Sequence, residues 1–114
     1  MSDLVDVRTA LAELTGLEIV IAESGCDAAE IVSQLRCSGA GMALLLIDPS
    51  VPALERTMLS AAIGPLAIER APGARIGAID IADGAVAADV LAAANYLASA
   101  QSTTGQILAI TASG

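Results

Sequence analysis

The sequence predicts an α/β fold, a small sandwich of about four mostly parallel strands with helices on both faces. Three observations predict it. Short β-branched or wholly apolar runs alternate with longer stretches whose apolar residues recur at helical spacing. The run Met42 to Ile47, MALLLI, is apolar without alternation, which suits a parallel strand covered on both faces. Finally, 114 residues that are 55% apolar and 16% charged supply material for one buried core, hence one domain.

In chain order, Leu4, Val7, Leu11 and Leu14 recur at helical spacing after Ser2 or Asp3, and Gly16 stops them, so a first helix is expected over residues 3–15. Leu17 to Ala22, LEIVIA, reads as a strand closed by the turn residues Glu23, Ser24 and Gly25. Asp27 and Glu30 have the spacing of a capping box ahead of Ala28, Ile31, Val32 and Leu35, a second helix ending at Ser38, Gly39 and Gly41. After MALLLI come Asp48 and Pro49. Ser50 is then expected to cap a helix with Pro52 in its first turn and Leu54, Met58, Leu59, Ala62 and Ile63 as its buried stripe, and Pro65 to bend or end it. Arg75 to Ile81 reads as a strand, Val86 to Ser99 as an alanine-rich helix with Val90, Ala93, Ala94 and Leu97 inward, and Gln106 to Thr111 as a last strand. This rhythm implies right-handed crossovers and a parallel sheet.

Charge and residue types exclude much chemistry. The five basic residues are all Arg, against thirteen Asp plus Glu, for a net charge of −8, and His and Lys are absent. A Ser-His-Asp or Cys-His nucleophile, a His-ligated zinc, a Schiff-base lysine and a phosphate-loop lysine are therefore impossible within this chain. Scattered arginines on an acidic surface argue against nucleic acid and anionic membranes as partners. Cys37 to Ile47 is too short to cross a bilayer, and the tail from Val90 is interrupted by Asn95, Gln101, Ser102, Thr103, Thr104 and Gln106. The acidic start MSDLVDVRT lacks the features of a secretion signal, so the cytoplasm is expected. Cys26 and Cys37, at opposite ends of a helix and roughly 16 Å apart, are expected to be reduced thiols.

Asp89 to Gly114, DVLAAANYLASAQSTTGQILAITASG, resembles the end of the short-chain dehydrogenase/reductase family, where a helix reading roughly D-V-A-x-A-V-x-F-L-A-S leads into T-G-Q-x-L-x-V-D-G-G. The match runs from Asp89 through Ser99 to Thr104, Gly105, Gln106 and Leu108, and departs at Ala112 and Ser113. Leu17 to Ser50, with VIAE and AAEIVSQLRCSGAGMALLLIDPS, is similar to the family's second and third strands. Pro65 to Gly84, with GARIGAIDIADG, is similar to the helix and strand that carry its catalytic serine. Leu17 to Ala71 can also be slid onto the second half of the family pattern, because the two halves of a Rossmann fold look alike. The resemblance implies a minimal Rossmann-like sandwich.

What the resemblance lacks is equally informative. The family's T-G-x-x-x-G-x-G turn, whose glycines admit the cofactor pyrophosphate, has no counterpart. Its proton-donating tyrosine stands four residues before a lysine. Tyr96 stands four before Ala100 on the wrong helix, and in the slid register the pair falls on Pro52 and Arg56. The serine position falls on Asp80 or Ile81 in the first register, and on Ser50 or Asp48 in the second. The first register puts Glu23 where the family binds the adenosine ribose and Asp48 beside the adenine edge, so both are candidate contacts for a possible NAD(P).

Asp48, Asp80 and Asp83 all fall at carboxyl ends of strands, where open α/β sheets place ligands, so Asp80 and Asp83 could act as acid and base or help hold a divalent cation. Helix capping would account for Asp83 equally well. Tyr96 lies on the helix that, with the last strand, helps form a subunit contact in the family; an interior tyrosine is the alternative.

The leading expectation is a non-catalytic family relative that acts as an oligomeric or partner-binding module, pairing with itself or a related subunit through the last helix and strand. The alternatives are an NAD(P)-linked or small-ligand-binding protein using the carboxyl edge of the sheet, with another subunit completing the site, and a degenerate product that merely folds. The physical motive for assembly is an alanine-rich, thin core with an unpaired sheet edge.

Overall fold

The computed structural model describes residues 17–39, 41–71, 73–99 and 104–111, so the helix expected over residues 3–15 lies outside the described residues. Four strands, β1 (Leu17–Ala22), β2 (Met42–Ile47), β3 (Arg75–Ile81) and β4 (Ile107–Ile110), alternate with three helices, α1 (Ala28–Arg36), α2 (Ala53–Arg70) and α3 (Ala87–Ser99). The strands form one parallel sheet in running order β1-β2-β3-β4. The expected α/β sandwich, Rossmann-like with helices on both faces, is thus the observed one. Among the described residues no helix is long and apolar enough to cross a membrane.

MALLLI is buried at every position because each face of β2 has its own cover. Ala43, Leu45 and Ile47 join Val20, Ile76 and Ala78 beneath Ile31 and Leu35 of α1 and Leu59, Ile63 and Leu66 of α2. Met42, Leu44 and Leu46 join Ile79 and Ile81 beneath Val90, Ala94 and Leu97 of α3. The strands advance in one direction across the sheet while α3 takes the opposite face from α1 and α2. The third crossover is therefore of opposite hand to the first two, a departure from the uniform handedness expected of parallel units. On the common face α3 would have left Met42, Leu44, Leu46 and Ile79 bare.

Small residues let these layers approach. A Cβ on Gly77 would stand 3.2 Å from Met42 Cε, 3.4 Å from the Gln106 carbonyl and 3.5 Å from Leu97 Cδ1, so an added methyl would press on the Met42 side chain where β3, β4 and α3 converge. Arg75 donates from Nη1 to the Leu97 carbonyl at 3.1 Å and from Nη2 to that of Ala98 at 3.0 Å, satisfying carbonyls that the end of α3 leaves open.

Helix α2 does not end at Pro65 but runs through it to Arg70: the buried set Leu59, Ile63, Leu66 and Ala67 spans the proline and holds both halves to the sheet, although Pro65 has no N–H to give the Ala61 carbonyl. It differs from expectation in two ways. Its cap is Pro52, without a side-chain bond, while the Ser50 hydroxyl turns back to Asp48. Leu54 and Met58, expected inside, are exposed. At α1 the Asp27 side chain accepts from Ala29 N at 3.0 Å, as an N-cap should.

Candidate functional site

The carboxyl edge of the sheet is held together by two polar devices. In the first, Asp48 follows β2 directly, its N–H donating to the Ala22 carbonyl at 2.9 Å. Its carboxylate is fully buried and receives the Ser50 N–H at 2.9 Å and the Ser50 hydroxyl on Oδ2, while Oδ1 has no hydrogen-bond partner. The Ser50 Oγ in turn accepts the Ser24 N–H at 3.1 Å, tying the loop after β1 to the loop after β2. This is an Asx turn with a cross-link.

The second device is Arg56, in the first turn of α2. Its Nη1 pairs with the Asp80 carboxylate and lies 3.4 Å from the Ile81 carbonyl, and its Nη2 donates to the carbonyls of Asp48 at 2.9 Å and Val51 at 3.3 Å. The Arg56 and Asp80 side chains retain only 21% and 31% of their exposure. One planar guanidinium thus fastens the ends of β2 and β3 to the start of α2, a task that suits arginine's fixed fork of donors.

Beside this pair opens a cleft of about 320 Å³, lined by Pro49, Arg56, Asp80 and Asp83 on one side and Ala109 and Thr111 on the other. It lies outside the carboxyl ends of β2, β3 and β4, where open parallel sheets place ligands. Asp80 and Asp83 do share it, but Asp80 is engaged with Arg56. α3 begins at Ala87, too far along for Asp83 to cap it. Among the described residues, no three or more of His, Cys, Asp and Glu converge to hold a metal ion. Glu23 stands exposed beyond β1, away from the cleft, and Asp48 is buried under the Ser50 loop. Tyr96 is exposed on α3, so the interior alternative for it does not hold. Cys26 and Cys37 are free thiols.

Strand order decides between the two registers. In the doubly wound order 3-2-1-4-5-6, the third strand is an edge. The first register makes β2 that third strand, yet β2 pairs with β1 on one side and β3 on the other. The running order has no reversal, so the described strands follow the second half of the pattern, and Pro52 and Arg56 occupy the family's tyrosine and lysine positions. The register that gave Glu23 and Asp48 their dinucleotide roles is not the one the sheet adopts. A cofactor role for either stands as an expectation to be met by titration.

A family model described as SDR-like, short chain dehydrogenase-like protein, matches residues 18–110. The chain belongs to the short-chain dehydrogenase-like family. No curated protein is significantly similar to it. The dinucleotide that a dehydrogenase relationship implies meets a poor fit at this short-chain dehydrogenase-like edge. Asp80 and Asp83 line the cleft there, and Arg56, the one cation among the described residues that line it, is committed to Asp80 and main-chain carbonyls, so no described side chain in the cleft is free to neutralise a pyrophosphate.

The clamp was missed in the sequence, where Arg56 figured only as the residue in the lysine slot. Its sole local signal is an arginine in the first helical turn, where the helix dipole disfavours a cation unless a carboxylate lies near.

Proposed function

We propose that the protein is a non-catalytic short-chain dehydrogenase-like domain that works as an assembly module, pairing with a second copy of itself or a related subunit. One observation carries the reading. At the family's lysine position, Arg56 is consumed as a structural clamp, while Pro52 at the tyrosine position has no proton to give. Support for assembly comes from the edges. Among the described residues β1 pairs only with β2 and β4 only with β3, and Ile107 and Tyr96 are exposed apolar groups on β4 and α3. A cytoplasmic location accords with the free thiols of Cys26 and Cys37.

Calorimetric titration with oxidised and reduced NAD and NADP, combined with light scattering, tests the reading. The expected result is an oligomer without dinucleotide binding in the micromolar range. Micromolar binding, or reduction of nicotinamide by any of a panel of alcohols, would overturn the non-catalytic half, and a monomer would overturn the assembly half.

The cleft beside Asp80 favours a second reading, a small-ligand or NAD(P)-linked protein using the carboxyl edge, with Asp80 and Asp83 as acid and base; the alternative cofactor contacts, Glu23 and Asp48, lie outside that cleft. It requires another subunit to supply phosphate donors.

A further inference from the structure

An aspartate side chain places its carboxyl carbon within reach of the next residue's main-chain nitrogen, and attack by that nitrogen closes a five-membered imide. Two restraints ordinarily prevent it: a carboxylate held by partners, and a following N–H fixed in regular structure. One or both act at four of the described aspartates. Asp27 accepts the Ala29 N–H at 3.0 Å as the cap of α1. Asp48 is fully buried, receives both donors of Ser50 and precedes Pro49, which has no N–H. Asp80 is paired with Arg56 and precedes the β-branched Ile81, the last residue of β3. After Asp89, the Val90 N–H donates to the Val86 carbonyl at 3.2 Å.

Asp83 escapes both restraints. It is exposed, and among the described residues its carboxylate has no hydrogen-bond or ion-pair partner and the Gly84 N–H no backbone acceptor. It also opens the one Asp-Gly step in the sequence. Gly84 is exposed at φ +81°, in a turn closed by a single backbone bond, from the Ala85 N–H to the Ala82 carbonyl at 3.1 Å. Without a Cβ, Gly84 offers nothing to obstruct the closing ring, and a turn held by one bond opens locally at little cost.

We propose that Asp83 and Gly84 form a site of spontaneous backbone modification, where aspartate converts through a cyclic imide to isoaspartate. The bond that forms joins the Gly84 nitrogen to Asp83 Cγ. The bond that breaks is Cγ–O, and that oxygen leaves as water with the amide proton and one proton from solvent. Water then adds to one of the two ring carbonyls. Addition at Cγ restores aspartate, whereas addition at the main-chain carbonyl carbon leaves the chain running on through Cβ and Cγ with the α-carboxyl as the side group. No oxidant, cofactor or second protein takes part, so the site is independent of assembly and of ligand binding.

Position gives the change a consequence. Asp83 lines the cleft beside Arg56 and Asp80, in the loop that leads from β3 to α3. Isomerisation lengthens the main chain of that loop by one carbon and shortens the arm carrying the carboxylate by one, which withdraws the charge from the cleft.

The test is prolonged incubation of the full chain at neutral pH and physiological temperature. Isoaspartate is read by enzymatic methyl transfer to its free α-carboxyl and placed by tandem mass spectrometry of proteolytic peptides. It should grow with time at residue 83, with a transient peptide lighter by one water, and stay at background at Asp27, Asp48, Asp80 and Asp89. Asp83→Glu, which would need a larger ring, should abolish the signal, and Asp83→Asn should hasten it because ammonia leaves an amide carbon more readily than water leaves a carboxyl. Gly84→Ala should slow it roughly ten-fold. Background levels at residue 83 in the folded chain overturn the proposal. So does isoaspartate spread evenly over the described aspartates, or a Gly84→Ala chain that keeps the wild-type rate.

Discussion

Replacing Arg56 by Met keeps the length and apolar stem of the side chain but removes the charge and every donor. Asp80 then loses its counter-ion, and the carbonyls of Asp48 and Val51 lose their guanidinium donor. A hydrogen bond from a charged group contributes about 1.5–3 kcal/mol, and several share this one guanidinium. The pair is about a quarter exposed, so water takes over part of what is lost, and the ion pair alone lies near the upper end of the surface range, about 1 kcal/mol. Together these give an expected loss of about 2–3 kcal/mol, or roughly a 10 °C fall in Tm for a chain of this size. Urea unfolding followed by circular dichroism measures it, with an unchanged m-value expected. Arg56→Lys restores the family's residue but presents a single ammonium where a fork is needed, so it should recover only about half of the loss. A double-mutant cycle with Asp80→Asn should show coupling of about 1–2 kcal/mol. If Arg56→Lys matched wild type in stability and also bound NAD or NADP, the clamp would be incidental and the residue a cofactor ligand after all.

Two further expectations concern the backbone. Pro65→Ala restores the N–H facing the Ala61 carbonyl in a helix that already continues past it, so the urea midpoint should rise, by up to about 3 kcal/mol in stability; a fall would mean that the proline ring is needed for packing. Gly105 has φ +75° and its added Cβ would meet Ala67 Cβ at 3.2 Å, so Gly105→Ala should cost about 1–2 kcal/mol in thermal unfolding. No change would show that the turn before β4 relaxes freely.

Much of the architecture was legible because local patterns agreed with tertiary demands. MALLLI could be read as doubly covered from its lack of alternation alone, and Val90, Ala93, Ala94 and Leu97 as one inward face of α3. Helix α2 was misread because it bears apolar residues on two sides. Periodicity finds such stripes without saying which one meets the sheet, and so Leu54 and Met58 were grouped with Leu59 and Ile63. Pro65 was expected to bend or end the helix, a choice that local propensity leaves open and that Leu66 and Ala67 decide through contacts to distant strands. At the carboxyl edge, Asp48 and Asp80 were correctly placed at strand ends. The partners that define them were not visible, since Arg56 meets Asp80 across 24 residues and Ser24 meets Ser50 across 26. The choice of register waited on strand order, which no single window of sequence encodes.

The change of side after Ile81 makes the two layers unequal in redundancy. Two helices share the roof over Ala43, Leu45 and Ala78, so either one losing its grip still leaves a neighbour in place. On the reverse, among the described residues, Val90, Ala94 and Leu97 of one thirteen-residue helix roof Met42, Leu44, Leu46 and Ile79. Whatever lifts α3, whether a nick in the loop after Ile81 or a competing apolar surface, would uncover that whole layer at once, and the reverse side is where this fold would begin to open.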